Sequence, residues 1–384
     1  LKIKQVFAVI IVALAYANAY PAIQEDRKSK DNIDLSSTLS SNKEWLRSGW
    51  GVRVVIPSAS TKNVQDFDVK LLTDQLSSLK TASWVMLNIT EGAMGSFFTS
   101  PNKHLKSISE LMVPERDLFG EAVELLRDRG FRILVYFAAQ GPGSKRDENI
   151  RPKSDMHRLK VNKIDAIRVS WQALLLKEDL SHDQAVALYA IEPYAMRYAN
   201  KIDGWWFDHG NWANPYLFHE AIEKGNSAAL FAWNDSDNRS SRVAGFQGKR
   251  ALFGWKLGRS NQYESYTNGH ITPTRLKLPW WDGNEVIIEQ IERSKYIDGL
   301  IPHIFLPIQA GWRAGDAGFP QKQLIDWTER VITSGGGITL AVALRKPEFK
   351  YSELESKQYD QLKQLDSYLI KKYPDLIRSN RKMN

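Results

Sequence analysis

Ile202-Asp203-Gly204-Trp205-Trp206-Phe207-Asp208-His209-Gly210 is a run of strand length that ends in a carboxylate and a turn residue. No polar side chain interrupts Gly204 to Phe207. A strand with one wet face alternates polar and apolar residues; a continuous apolar run marks a strand covered on both faces. Six further stretches read as strands: Trp50–Ile56, Ser83–Ile89, Phe131–Ala138, Ala228–Asn234, Gly299–Leu306 and Gly337–Ala343. Between them Asp66–Leu79, Pro114–Arg129, Asp165–Ala199, Tyr216–Lys224, Glu285–Lys295 and Pro320–Thr333 carry helical spacing. Pro114 suits a first helical turn and Gly130 the residue past a helix end. Covered strands alternating with helices predict a parallel sheet in an α/β fold. A (β/α)8 TIM-like barrel fits best, with the eighth strand expected within Ala251–Asn268. An open doubly wound sheet is disfavoured, because no Gly-x-Gly-x-x-Gly and no Gly-x-x-x-x-Gly-Lys-Ser/Thr follows any strand.

The rest of the chain organises around that core. Residues 1–19 hold Lys2 and Lys4, an apolar run from Val6 to Ala15, and Ala17-Asn18-Ala19. That is the pattern of a cleavable signal peptide, and no other apolar stretch is long enough to span a bilayer. A secreted or periplasmic protein without a membrane anchor after cleavage is expected. Residues 20–47 read as a polar lead-in and 48–384 as one catalytic domain. Its C-terminal helical tail starts near Pro347 and packs through Leu354, Leu362, Leu365 and Leu369. A monomer is expected.

Composition narrows the chemistry. With 43% hydrophobic residues over 384, the chain buries a large core and is not disordered. Having no cysteine, it excludes disulfides, thiolate nucleophiles and cysteine metal sites. Thirteen Trp and fourteen Tyr favour a ligand with flat faces, a sugar or a base. The net charge of +8 suits an anionic polymer. No zinc or EF-hand pattern occurs, so no cofactor is expected, although loop carboxylates and carbonyls leave room for a structural calcium ion.

In a barrel of this kind chemistry sits at the C-terminal ends of the strands. Asp208 is thus placed as a nucleophile, with Trp206 as an aromatic wall; an Asp capping the next turn is the plainer alternative. His303, alone on the apolar Leu300–Leu306 run, is a general acid/base candidate or a satisfied core histidine. Asn88, Gln140 and Asn234 stand at strand ends, where amides bind sugar hydroxyls. Glu91 and Glu264 are rival acid/bases, and Tyr266 lies beside Glu264. Trp281, Trp312 and Arg313 fall in loops, where aromatic and basic side chains stack on and neutralise a sulfated ring.

On these residues the chain resembles a known family. Ser83–Phe97, Pro114–Ala138, Ile202–Gly210 and Arg330–Leu344 are similar, in order, to barrel segments of family 29 α-L-fucosidases. There a strand ending Trp-x-Asp supplies the nucleophile and a late Gly-Gly-x-x-Leu segment forms the last strand. Here those are Trp206-Phe207-Asp208 and Gly336-Gly337-Ile338-Thr339-Leu340. The fucose-binding His-His-Asp-Gly-Phe segment of that family is replaced by Ile89-Thr90-Glu91-Gly92-Ala93, which argues against an exo-acting pocket. The chain looks most like the related family 107 endo-fucanases, which share the barrel and the aspartate but use a late histidine as acid/base. The resemblance implies retaining endo-hydrolysis of sulfated fucan, with Asp208 as nucleophile and His303 as acid/base. Two alternatives stay open: an exo-α-L-fucosidase with Glu91 or Glu264 as acid, and a non-catalytic polysaccharide-binding barrel. A nucleic-acid partner is not expected, because an export signal accompanies the charge.

Overall fold

A computed structural model describes residues 41–91, 95–144, 155–210, 213–234, 257–270, 282–309, 318–347 and 350–378. The signal and most of the lead-in, and Trp281, Trp312 and Arg313, lie outside the described residues.

Seven parallel strands form one sheet: β1 (Gly49–Val54), β2 (Trp84–Asn88), β3 (Arg132–Ala138), β4 (Gly204–Asp208), β5 (Leu230–Trp233), β6 (His303–Pro307) and β7 (Gly337–Ala341). Their order is β5-β4-β3-β2-β1-β7-β6, so β1 and β7, the first and last of these strands in the chain, are neighbours within the sheet. That order is the circular one of a TIM-like fold.

No eighth strand forms among the described residues. In its place residues 265–270 run irregularly between β5 and β6. Ser265 N donates to Phe231 O at 2.8 Å on one side; on the other, Thr267 N donates to Ile301 O at 3.0 Å and Phe305 N to Gly269 O at 2.8 Å. Single bridges join Tyr266 to Ile301 and His270 to Phe305. Gly269 explains part of the irregularity: its φ is +61°, and a Cβ there would meet His303 O at 2.2 Å.

Side chains alternate across the strands as the pleat requires. Trp84, Met86, Leu134, Tyr136, Trp206, Ala232 and Phe305 share the inner cluster. Val85, Leu87, Val135, Phe137, Trp205, Phe207 and Phe231 face the helices. Both faces are buried, which is why the strands read as continuous apolar runs.

The lower interior is filled by one large side chain against several glycines. Trp84 Nε1 donates to Thr339 Oγ1 at 2.9 Å, and its ring occupies the volume left open by Gly49, Gly51 and Gly337. A Cβ on Gly51 would lie 2.2 Å from the Trp84 ring. Gly51→Ala is expected to destabilise the fold by about 1–3 kcal/mol through overpacking. A denaturant midpoint within experimental error of the parent would refute that.

The helices are α1 (Val69–Ser78), α2 (Lys103–Ile108), α3 (Leu118–Asp128), α4 (Asp155–Glu178), α5 (His182–Val186), α6 (Glu192–Tyr198), α7 (Pro215–Glu223), α8 (Asp282–Arg293), α9 (Gln321–Thr333) and α10 (Ser356–Lys372). The single helix expected over Asp165–Ala199 is broken. Asp179 takes φ +52°, and Ser181 with Gln184 builds a capping box that starts α5. A π-helical turn, Ala187–Ile191, joins α5 to α6. Leu362, Leu365 and Leu369 of α10 are buried. Asp366 on the same helix accepts from Lys80 N, Thr81 N and Thr81 Oγ1 at 2.9, 2.7 and 2.6 Å, beside the N-terminal end of β2.

Candidate active site

Asp208 is the last residue of β4 and is 5% exposed. Its carboxylate is held from several directions. Tyr136 Oη donates to Oδ2 at 2.5 Å and Asn234 Nδ2 to Oδ1 at 2.7 Å. His209 takes the left-handed conformation, φ +57°, uncommon for a residue with a side chain. The turn lets its backbone N donate to Oδ1 at 3.0 Å and brings its Nε2 to 3.2 Å from Oδ2. Burial alone would raise the Asp208 pKa; the nearby His209 and His270 and the bonds from Tyr136 and Asn234 outweigh it and hold the value at about 2. The carboxylate is therefore ionised and aimed, as a nucleophile must be.

The imidazole that belongs to this site is His270. It ends the irregular segment, pairs with Phe305, and its ring lies 5.6 Å from that of Trp206, two residues before Asp208. His270 and Asp208 each act on the other's ionisation. Burial pushes the His270 pKa down to about 4, against the opposite pull of Asp208. Trp206 is fully buried, stacked on Tyr136 at 5.5 Å, with its Nε1 donating to Asn268 O at 2.8 Å. It supports the floor on which Tyr136 and His270 rest. The aromatic wall expected at Trp206 is, in the structure, a fully buried ring beneath Tyr136 and His270.

His303, the expected acid/base, sits elsewhere. It opens β6, paired with Gly337 at the N-terminal edge of the sheet, whereas Asp208 closes β4. A five-residue strand is roughly 13–17 Å long, so the two belong to opposite ends of the barrel. His303 is fully buried, with Nε2 bonded to Thr339 Oγ1 at 2.8 Å and Nδ1 facing Thr267 O at 3.2 Å. Burial pushes its pKa down to about 3. This is a satisfied core histidine, and the catalytic assignment to it is corrected. His303→Gln is expected to cost about 1–3 kcal/mol of stability through its buried hydrogen bonds. Turnover per folded molecule should stay within a few-fold of the parent; a loss of a hundredfold or more would reinstate His303.

The other expected residues divide by position. Asn234 touches Asp208 directly. Asn88 spends its amide on the backbone, accepting from Ile56 N at 2.7 Å and donating to Ile56 O and Thr90 O. Tyr266 is buried lower down, its ring 5.2 Å from that of His303 and its hydroxyl donating to Trp205 O at 3.2 Å; it is no mouth residue. Glu91 is paired with Lys160 Nζ and accepts from Ser58 Oγ at 2.8 Å, which leaves a carboxylate engaged by a cation rather than a proton donor. Glu264 accepts from Ser260 N, Asn261 N and Trp233 N. Burial pushes its pKa up to about 7, but those bonds tie it to the loop before the irregular segment. Gln140 follows β3, and both of its side-chain polar atoms are buried with no hydrogen-bond partner among the described residues. Among the described residues no group of three or more His, Asp and Glu could hold a metal ion, and no helix is long and apolar enough to cross a membrane.

Tyr136, His209 and His270 are not singled out by the sequence reading. Tyr136 sits at an inward position of an expected strand, where an isolated tyrosine reads as core. His270 carries a legible signal, since Asn268-Gly269-His270 ends its segment with polar and glycine residues much as Asp208-His209-Gly210 ends β4.

An ionised aspartate at a strand end of a TIM-like sheet, with an imidazole across the same floor, is the equipment of a glycoside hydrolase. The comparisons with known proteins agree. The family model described as "Endo-alpha(1,4)-fucoidanase Mef1" matches residues 40–378, and the chain belongs to that family of glycoside hydrolases. A search of curated proteins finds no match.

Solved structures share the fold. Endo-fucoidan hydrolase P5AFcnA from glycoside hydrolase family 107 superposes with a TM-score of 0.68 at 16% identity, over 86% of this chain and 93% of that one. Endo-fucoidan hydrolase MfFcnA4 of the same family gives 0.70 at 17%, over 85% of this chain and 53% of that one, so this chain spans about half its length. A family 29 α-L-fucosidase from Bacteroides thetaiotaomicron gives 0.50 at 12%, over 88% and 75%.

Proposed function

We propose that the protein is a secreted or periplasmic retaining endo-hydrolase that cleaves α-L-fucosyl linkages inside sulfated fucan chains. Membership of the endo-fucoidanase family supports the substrate class. The observation that carries the mechanism is the pairing of Asp208, buried and ionised, with His270 across the Trp206 floor.

In the first step an Asp208 oxygen attacks the anomeric carbon as the glycosidic bond breaks, while protonated His270 gives its proton to the departing oxygen. In the second, water attacks the glycosyl-enzyme ester and His270 takes the water's proton, which frees Asp208. Tyr136 and Asn234 hold the carboxylate in line. His209 Nε2, 3.2 Å from Asp208 Oδ2, leaves no room for a sugar carbon between them; it holds the carboxylate and also acts on His270 through its charge. Histidine suits this task beside a polysulfated chain: substrate charge raises an imidazole's pKa and so supplies the proton that burial otherwise drives off.

The test is an incubation of the protein with sulfated fucan, the products separated by size on a carbohydrate gel. A ladder of oligosaccharides supports the endo reading. Fucose alone would replace it with exo-fucosidase action. Retarded polymer without products would leave a binding protein.

A further inference from the structure

Helix α4 is apolar on two opposite faces, and one of them is exposed. Ile164, Ile167 and Trp171 pack into the core, with Leu174 and Leu175 partly buried against it. On the far side Leu159, Val169 and Leu176 are 65%, 69% and 84% exposed, the three most exposed large apolar side chains among the described residues. Asn162, Ala166 and Ala173 are exposed as well and complete one line with them, in alternating steps of three and four residues. That spacing is the seam of a two-helix coiled coil, in which a second helix covers the line. Single exposed leucines need no explanation; a continuous apolar stripe along a 24-residue helix does.

The stripe fits itself. Laid antiparallel against the same helix of a second copy, it pairs Leu159 with Leu176, Asn162 with Ala173 and Ala166 with Val169, each pairing occurring twice about the two-fold axis. No layer sets a small residue against a small one, as parallel order does at Ala166 and Ala173. The ends also agree in charge. The helix opens with Asp155 and carries Lys177 in its last turn, and antiparallel order brings these ends together with the helix dipoles opposed. Beside the seam Asp165 falls by Gln172 and Lys163 by Ser170, so no like charges meet. A shift of one heptad in either direction leaves Leu159 or Leu176 beyond the end of the other helix, which fixes the register.

We propose that the protein forms an antiparallel two-fold dimer with a second copy of itself through the exposed face of α4. The size of the contact bounds its strength. Six seam residues and as many beside them make about a dozen a side, roughly half of a standard interface and ~800–1,000 Å² in all, the size of a reversible contact. The net charge of +8 also opposes the approach of two copies. The monomer expected from the sequence is then the dilute state, and the dimer forms at micromolar concentration or above. Lys160, in the second turn of α4, pairs with Glu91 just past β2, so the helix starts at the mouth of the barrel. Antiparallel order therefore turns the two mouths in opposite directions, and one dimer holds two separate stretches of polymer. The dimer itself does not depend on the hydrolase reading.

Sedimentation velocity at about 0.15 M salt measures the association. Between about 1 and 100 µM the average mass should rise from one chain toward two. Val169→Glu combined with Leu176→Glu should stay at one chain throughout with an unchanged denaturant midpoint, because both side chains already face solvent in the monomer. Parent protein that stays single over that range would overturn the proposal and give the stripe to a different partner. A V169E/L176E protein that associates as the parent does would overturn it too. Disulfide trapping tests the order of the helices. The chain has no cysteine, so Leu159→Cys and Leu176→Cys each introduce a single thiol. In antiparallel order the two copies of position 159 are about 25 Å apart, too far for a disulfide. Mixed and oxidised where the parent associates, with a tag on one of them, the two variants should join to each other about tenfold more than either joins to itself. An excess of self-joined pairs would overturn the antiparallel arrangement. The single cysteine variants decide the matter even if the double glutamate variant fails to fold.

Discussion

Asp208→Asn is expected to lower turnover of sulfated fucan by roughly 10⁴-fold, the scale seen when a reacting group is removed from an otherwise intact site. The amide keeps the shape of the carboxylate, so Tyr136 and Asn234 retain a neighbour of the same size and polymer binding should survive. The variant should also be slightly less stable at neutral pH. Asp208 titrates near 2 when folded and near 3.8 when unfolded. Its ionised form thus stabilises the fold above about pH 4, and that contribution disappears as pH falls toward 2. The difference amounts to ~2 kcal/mol at pH 7. Carbohydrate gels measure the first effect and denaturant titration at pH 7 the second. Turnover within tenfold of the parent would remove Asp208 from the mechanism.

His270→Gln should reduce kcat on the polymer by about 10²- to 10⁴-fold, the usual contribution of a general acid/base. Two further readouts separate a proton donor from a structural residue. The loss should shrink on an aryl fuco-oligosaccharide whose leaving group departs without a proton. The pH profile should change as well. An acid works only while protonated, so parent activity falls as pH rises through the pKa of His270 in the substrate complex, and that descending limb should be missing from the variant. An equal loss on both substrates with an unchanged limb would assign the proton to another group. Because His303 lies at the opposite end of the barrel, His303→Gln is the matched control.

Much of the fold is legible in the sequence because both faces of the sheet are buried. Continuous apolar runs mark all seven strands, and Asp208 follows from the rule that such strands present their chemistry at the C-terminal end. The acid/base is not legible in the same way. His303 stands out as the one imidazole on an apolar run, but what makes it conspicuous is core burial. An apolar run does not say at which end of a strand its polar residue lies, and one strand length separates a histidine beside Asp208 from a packed one. His270 falls just past the expected eighth strand, in a segment whose glycine breaks the pattern on which strand recognition depends. The break between α4 and α5 was written in Ser181-x-x-Gln184, a capping box masked by the apolar periodicity on either side.

The irregular segment between β5 and β6 has a consequence beyond catalysis. A sheet that meets itself has no free border, whereas β5 and β6 are the two ends of the seven-stranded order and, among the described residues, the segment 265–270 lies between them. Were that stretch to lift away, two apolar strand borders would be left with unmade backbone hydrogen bonds, each a template for the strands of another copy. Substitutions that loosen the setting of His270 therefore endanger solubility as well as rate. The six residues that set His270 beside Trp206 thus also stand between the two strand borders and self-association.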